Sequence, residues 1–199
     1  MFASIALYWH LYGWMFGVGF IVGIYIHEMG HVWMLRHYGL RASAPMFIPG
    51  FGAFISMYDS PLNVGQDARI GLAGPLWGAG AAVLFLIPAV LTGQGVWYAV
   101  AHFTAYINLF NLTPVWSLDG GRAYRALDRK QRILILIAIA ICWLATQEGI
   151  LLIVGLGATY RIFWQKDHAP EPDQGVLTEF AGLLVFFAAI LLLIPTRGI

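Results

Sequence analysis

Four apolar runs along the chain approach the roughly 20 residues needed to cross the hydrocarbon of a bilayer, at 13–35, 70–91, 96–112 and 177–194. Tyr8, Trp9, Tyr12 and Trp14 stand at the head of the first, and Trp97 and Tyr98 at the head of the third, where an aromatic belt meets the membrane–water interface. A further apolar stretch, 133–164, is interrupted by Gln147, Glu148 and Gly149 and reads as two short spans forming a hairpin. The pattern therefore predicts about six transmembrane helices; a single long helix with a buried polar break would give five. Segment 44–55 is apolar but short, and it is broken by Pro49, Gly50 and Gly52. It predicts a small β-hairpin at the cytoplasmic membrane surface. Segment 167–175, with Pro170, Pro172 and three acidic residues, predicts a loop.

Composition strengthens the membrane reading. Hydrophobic residues make up 60% of the 199 and charged residues 11%, with a mean hydropathy of +0.74. A soluble domain carries about 25% charged residues. The expected fold is an all-α polytopic membrane protein, one membrane-embedded domain over 1–199, with its core at about 10–125 and additional spans at about 131–195. With the end of the first span in the cytoplasm, six spans put ten of the eleven Lys and Arg residues inside and leave Arg197 outside. Five spans give nine to two, so the orientation, with an extracytoplasmic N-terminus, holds either way. A compact chain of this kind suits a prokaryotic inner membrane. No basic n-region precedes the first run, so a cleavable signal peptide is not expected. No basic run interleaved with aromatics points to nucleic acid as a partner. The single cysteine, Cys142, excludes an intrachain disulfide and reads as a buried, inert thiol.

The chemistry sits in the first span. His27, Glu28, Met29, Gly30 and His31 match H-E-x-x-H. Positions i and i+4 share a helix face, so both imidazoles can hold one metal ion, and Glu28 stands beside them as a base toward an activated water. With 6 His and 4 Glu in the chain, a chance match is on the order of a few in a thousand. Ionisable groups inside an apolar span cost at least a few kcal/mol each unless they face a cavity, a partner or a metal. A catalytic zinc site commonly takes three protein ligands and leaves one position open. Asp119, after the third span and on the same side as the histidines, is the best candidate for the third. Pro114 and the pair Gly120, Gly121 would break the helix there. Capping of a following helix is the plainer alternative for Asp119.

With these residues in place the chain resembles the site-2 proteases, intramembrane zinc metalloproteases. Their second motif is similar to the run Asn111, Leu112, Thr113, Pro114, Val115, Trp116, Ser117, Leu118, Asp119, Gly120, with Trp116 where a second proline is usual. Leu72, Ala73, Gly74, Pro75 and Leu76 resemble the family's glycine–proline motif, followed here by Trp77, and 47–55 resembles its short sheet beside the active site. The resemblance covers about 10–125. It implies that His27, His31 and Asp119 bind Zn2+, that Glu28 is the acid/base and that Asn111 holds the scissile carbonyl or the oxyanion. It further implies a lipid-embedded endopeptidase whose substrate is a transmembrane protein, cut in or near its span to release a cytoplasmic fragment. Oligomeric state and substrate identity are not written in the motifs, and the soluble sensing domains of some relatives are not expected.

The remaining polar residues of the spans invite plainer readings. Asn108 and His102 read as helix–helix hydrogen-bonding residues and Glu148 as a turn residue. Segment 47–55 offers a strand edge on which an unwound substrate could be held extended. A non-proteolytic membrane protein that keeps the metal site, or a metal transporter, would be the competing classes. Glu28 argues against the first, and a single liganding cluster against the second.

Overall fold

The computed structural model describes residues 1–50, 52–115, 118–164 and 171–194. Eight helices and two short strands appear among them: α1 (Phe2–Tyr12), α2 (Trp14–His37), β1 (Met46–Ile48), β2 (Gly52–Phe54), α3 (Val64–Thr92), α4 (Gly95–Asn111), α5 (Asp119–Tyr124), α6 (Arg129–Thr146), α7 (Gly149–Phe163) and α8 (Gln174–Leu193). Helices α2, α3 and α8 are long and apolar enough to cross a membrane. The chain is thus an integral membrane protein by composition and helix length. Helix α4 has 17 residues, α7 has 15, and α6 begins with Arg129, Lys130 and Arg132, so these three fall short of that standard on length or charge.

The interruption at Gln147 does divide the apolar stretch into two helices. Gln147 adopts the left-handed conformation (φ 58°) that ends α6. Its side-chain amide donates to the carbonyls of Trp143 and Leu144, at 3.3 and 3.0 Å. The Trp143 carbonyl also accepts the Gln147 backbone amide at 2.7 Å, whereas the Leu144 carbonyl in the last turn relies on the side chain, so the polar residue satisfies a group that hydrocarbon could not. At the other end of α6, Asp128 and Gln131 form a reciprocal capping box. Helix α3 starts six residues before the apolar run because Asn63 caps it, accepting from the Gln66 amide at 2.9 Å.

One element was not expected. Residues 2–12 form a helix, α1, which turns at Gly13 (φ 89°) and folds back along α2. Gly17 lies against the Trp9 backbone, where a Cβ would come within 2.7 Å of the Trp9 amide nitrogen. Tyr8 meets Phe20 edge-on at 5.1 Å. The aromatic residues read as a belt are therefore partly a helix–helix contact.

Strands β1 and β2 pair antiparallel, with Met46 opposite Phe54 and Ile48 opposite Gly52. The hairpin is as expected, but it lies beside α2 rather than beyond its end. Phe47 stacks on Tyr25 at 6.5 Å, and the turn residue Gly50 faces Leu7 of α1. Aromatic packing on α2 explains the difference: the sheet half-buries Phe47 against the helix instead of leaving it at a surface.

Helix α8 packs into the bundle rather than beside it. Phe180 and Phe187 are fully buried, and Phe180 meets Tyr124 of α5 edge-on at 5.8 Å. His102 of α4 donates through Nδ1 to the Ile194 carbonyl at 2.8 Å, an interhelical bond at the end of α8. Gly157 of α7 lies under Thr113, Pro114 and Val115, so the later helices buttress the turn that leads to Asp119. Cys142 is buried. The 167–175 loop falls partly outside the described residues; 171–173 are irregular and α8 begins at Gln174. Trp116, Ser117 and Arg197 also lie outside them.

Candidate metal centre

Helix α2 presents His27 and His31 one turn apart, and both are buried. Each ring has its Nδ1 engaged. His27 Nδ1 donates to Asn108 Oδ1 of α4 and His31 Nδ1 to the Ile70 carbonyl of α3, both at 2.7 Å. Those two bonds fix the tautomer and leave both Nε2 atoms as lone-pair donors facing one point.

Asp119 completes the group. It lies 92 residues after His27 in the chain, yet its Oδ2 is 3.2 Å from His27 Nε2 and its Oδ1 is 3.3 Å from His31 Nε2. The two Nε2 atoms are 3.1 Å apart. Tetrahedral zinc with bonds of about 2.0–2.1 Å separates its donors by about 3.3 Å, so this spacing suits that ion. The space is also reserved from α3. A Cβ on Gly74 would come within 2.2 Å of His31 Nε2 and 2.8 Å of His27 Nε2, so the glycine of the Gly74–Pro75 pair is what allows α3 to pass. Among the described residues, this is the one His/Cys/Asp/Glu group with donors close enough to share a metal.

Glu28 and Asn111 face the same space. A cavity of about 450 Å³ is lined by His27, Glu28, His31, Asn111 and Asp119 on one side. On the other lie Ala53 and Phe54 of β2 with Ile55 and Met57 after it, and Asp67, Arg122 and Arg125 complete the wall. Asn111 Nδ2 is 3.4 Å from His27 Nε2, which sets it at the edge of the donor group. His102 and Glu148 do not line this cavity. Asn108, fully buried, does more than bridge two helices: with its own amide bonded to the Thr104 carbonyl at 2.7 Å, it orients a donor histidine. Its place one turn before Asn111 was the only sequence signal for that role. Asp67 and the two arginines carried none.

The comparisons agree with the geometry. Residues 15–96, from α2 through α3, match the sequence model of Peptidase family M50. A stretch of 115 residues is 30% identical to a zinc metalloprotease of Methanocaldococcus jannaschii, covering 55% of this chain and 33% of that protein. The chain therefore matches about a third of the length of that relative. The converging His-His-Asp group thus stands in a chain that is similar, over residues 15–96, to Peptidase family M50 and, over 115 residues, to a zinc metalloprotease.

Proposed function

We propose that this chain is a zinc-dependent intramembrane endopeptidase that hydrolyses a peptide bond in or near a transmembrane segment of a membrane-protein substrate. The observation that carries the reading is the convergence of His27, His31 and Asp119 on one point of a cavity that Glu28 also lines and that β2 borders. His27 and His31 would hold zinc through Nε2 and Asp119 through its carboxylate. Zinc bound there supplies Lewis acidity toward water and carbonyl oxygen. Glu28 accepts the proton of the attacking water and returns it to the leaving amine. Asn111 directs its amide toward the carbonyl or the developing oxyanion. Asn108 and the Ile70 carbonyl keep the two imidazoles in register throughout.

A substrate helix has its carbonyls hydrogen-bonded and must be unwound before attack. Phe54 and Ala53 border the cavity, so the unwound segment would lie extended along β2. The arginines near the cavity and in the helix ends beside it support a cytoplasmic location for the site, with the start of α2 extracytoplasmic and the cleaved fragment released inside. A prokaryotic inner membrane is the setting this implies, with the whole described bundle acting as one catalytic domain.

The test is a single-span peptide with tags on both ends, reconstituted with the protein in liposomes. Wild type should cleave it, a zinc chelator should stop cleavage and added zinc should restore it. Glu28→Gln should bind zinc as wild type does and cleave at least about 10²-fold more slowly. Cleavage by Glu28→Gln at the wild-type rate would overturn the proposal.

A further inference from the structure

Asp119 reaches the donor group from a helix of only six residues, and its N-cap residue, Leu118, makes no side-chain cap bond. A helix that short does not hold itself together in isolation. Its position must come from what it packs on. Gly120 abuts the last turn of α4, where a Cβ would come within 1.9 Å of the Leu112 carbonyl oxygen. Gly71 of α3 abuts α5 from the other side, where a Cβ would come within 2.9 Å of the Asp119 carbonyl oxygen.

An ionic contact adds to the packing. Arg122, three residues after Asp119, donates through Nε and Nη2 to Asp67 Oδ1, at 2.9 and 2.8 Å. Arg125 donates to the other oxygen of the same carboxylate. Asp67 lies in the first turn of α3 and is 9% exposed. Arg122 Nη2 also reaches Met57 Sδ, at 3.4 Å, just past the hairpin. Helix α3 thereby addresses all three donors. Its Ile70 carbonyl orients His31, its Gly74 makes room for both imidazoles, and its Gly71 and Asp67 seat the helix that bears Asp119.

We propose that Asp67, acting through Arg122, is a positioning residue for Asp119: the ion pair sets the register of α5 against α3 and so the place of the third metal donor. The proposal rests on the reading of Asp119 as a zinc ligand. A desolvated carboxylate shared by two guanidinium groups keeps its geometry only while the partners are present, because removing one leaves the others uncompensated.

The experiment measures zinc dissociation constants by chelator competition on purified protein in detergent. The variants are Asp67→Asn, Arg122→Lys, their double mutant and Asp173→Asn. The last breaks the Arg69–Asp173 ion pair, which lies at the same end of α3 and does not involve α5. Asp67→Asn should weaken zinc binding about 10-fold, the lower end for removing an outer partner of a metal ligand. Arg122→Lys should cost a similar factor, the double mutant should cost no more than one single, and Asp173→Asn should bind as wild type. The rise in melting temperature on zinc loading should fall in step. Wild-type affinity in Asp67→Asn, or equal weakening in Asp173→Asn, would overturn the proposal. If Asp67→Asn does not fold, Arg122→Lys with wild-type zinc affinity overturns it alone. A wild-type protein that binds no zinc would instead bring down the metal-site reading, and this proposal with it.

Discussion

Helix α2 and helix α5 deliver donors to the same point by opposite means. Helix α2 has 24 residues, and the repeat of the α-helix alone puts His27 and His31 on one face. Helix α5 has six, and Asp119 arrives only because two glycines, a carboxylate and two arginines outside the donor group hold it there. One region is ordered by its own sequence, the other by its neighbours. The proposed metal site therefore depends most on residues outside the donor group where its donors are fewest.

The largest effect expected is on α2 itself. His31→Ala should lower zinc from about one per chain to near zero by elemental analysis. Retention of full occupancy would mean that α2 does not dominate the site. Next comes a change that removes no donor. Gly74→Ala places a methyl 2.2 Å from His31 Nε2 and should abolish tight zinc binding while leaving the protein monodisperse in detergent. Wild-type affinity there would show that α3 does not fix the imidazoles. Asn108→Ala should weaken zinc binding about 10- to 100-fold, because His27 loses the acceptor that fixes its tautomer.

The smallest effect lies far from both regions. Arg41 holds the Asp59 carboxyl down at about 2, through hydrogen bonds from its guanidinium and its backbone amide. A lowered carboxylate pKa contributes stability above the unfolded value of 3.8, and that contribution fades as pH falls through about 2. Asp59→Asn should thus shift the melting temperature slightly at pH 7 and less still near pH 2, by calorimetry. A shift as large at pH 2 as at pH 7 would mean that the pair acts through something other than charge.

The contrast between α2 and α5 also explains what the sequence discloses. His27, Glu28 and His31 are legible because their relation is local. Asp119 is legible through its motif and through the need for a third donor, although its seat is invisible, since Asp67 and Arg122 lie 55 residues apart and look like ordinary charges at helix ends. The two helices at 133–164 follow from Gln147, whose polarity inside an apolar run has to be accommodated by the backbone. Helix α1 escapes because eleven residues cannot span a bilayer. Its interfacial aromatics read equally well as a belt, and only Gly13 signals the reversal. The depth of the hairpin escapes too, since the pairing of Phe47 with Tyr25 is a tertiary fact.

That hairpin has a consequence of its own. A two-stranded sheet leaves an outward row of amides and carbonyls on each strand, and oil solvates neither. Set beside α2 at the height of Tyr25, the rows stay satisfied only where water reaches them or another strand lies against them. Under the proposed reading, the bilayer is wet on that flank until a substrate strand lies there, so the reagent for the proposed hydrolysis would arrive by the same route that keeps an unfinished sheet in solution.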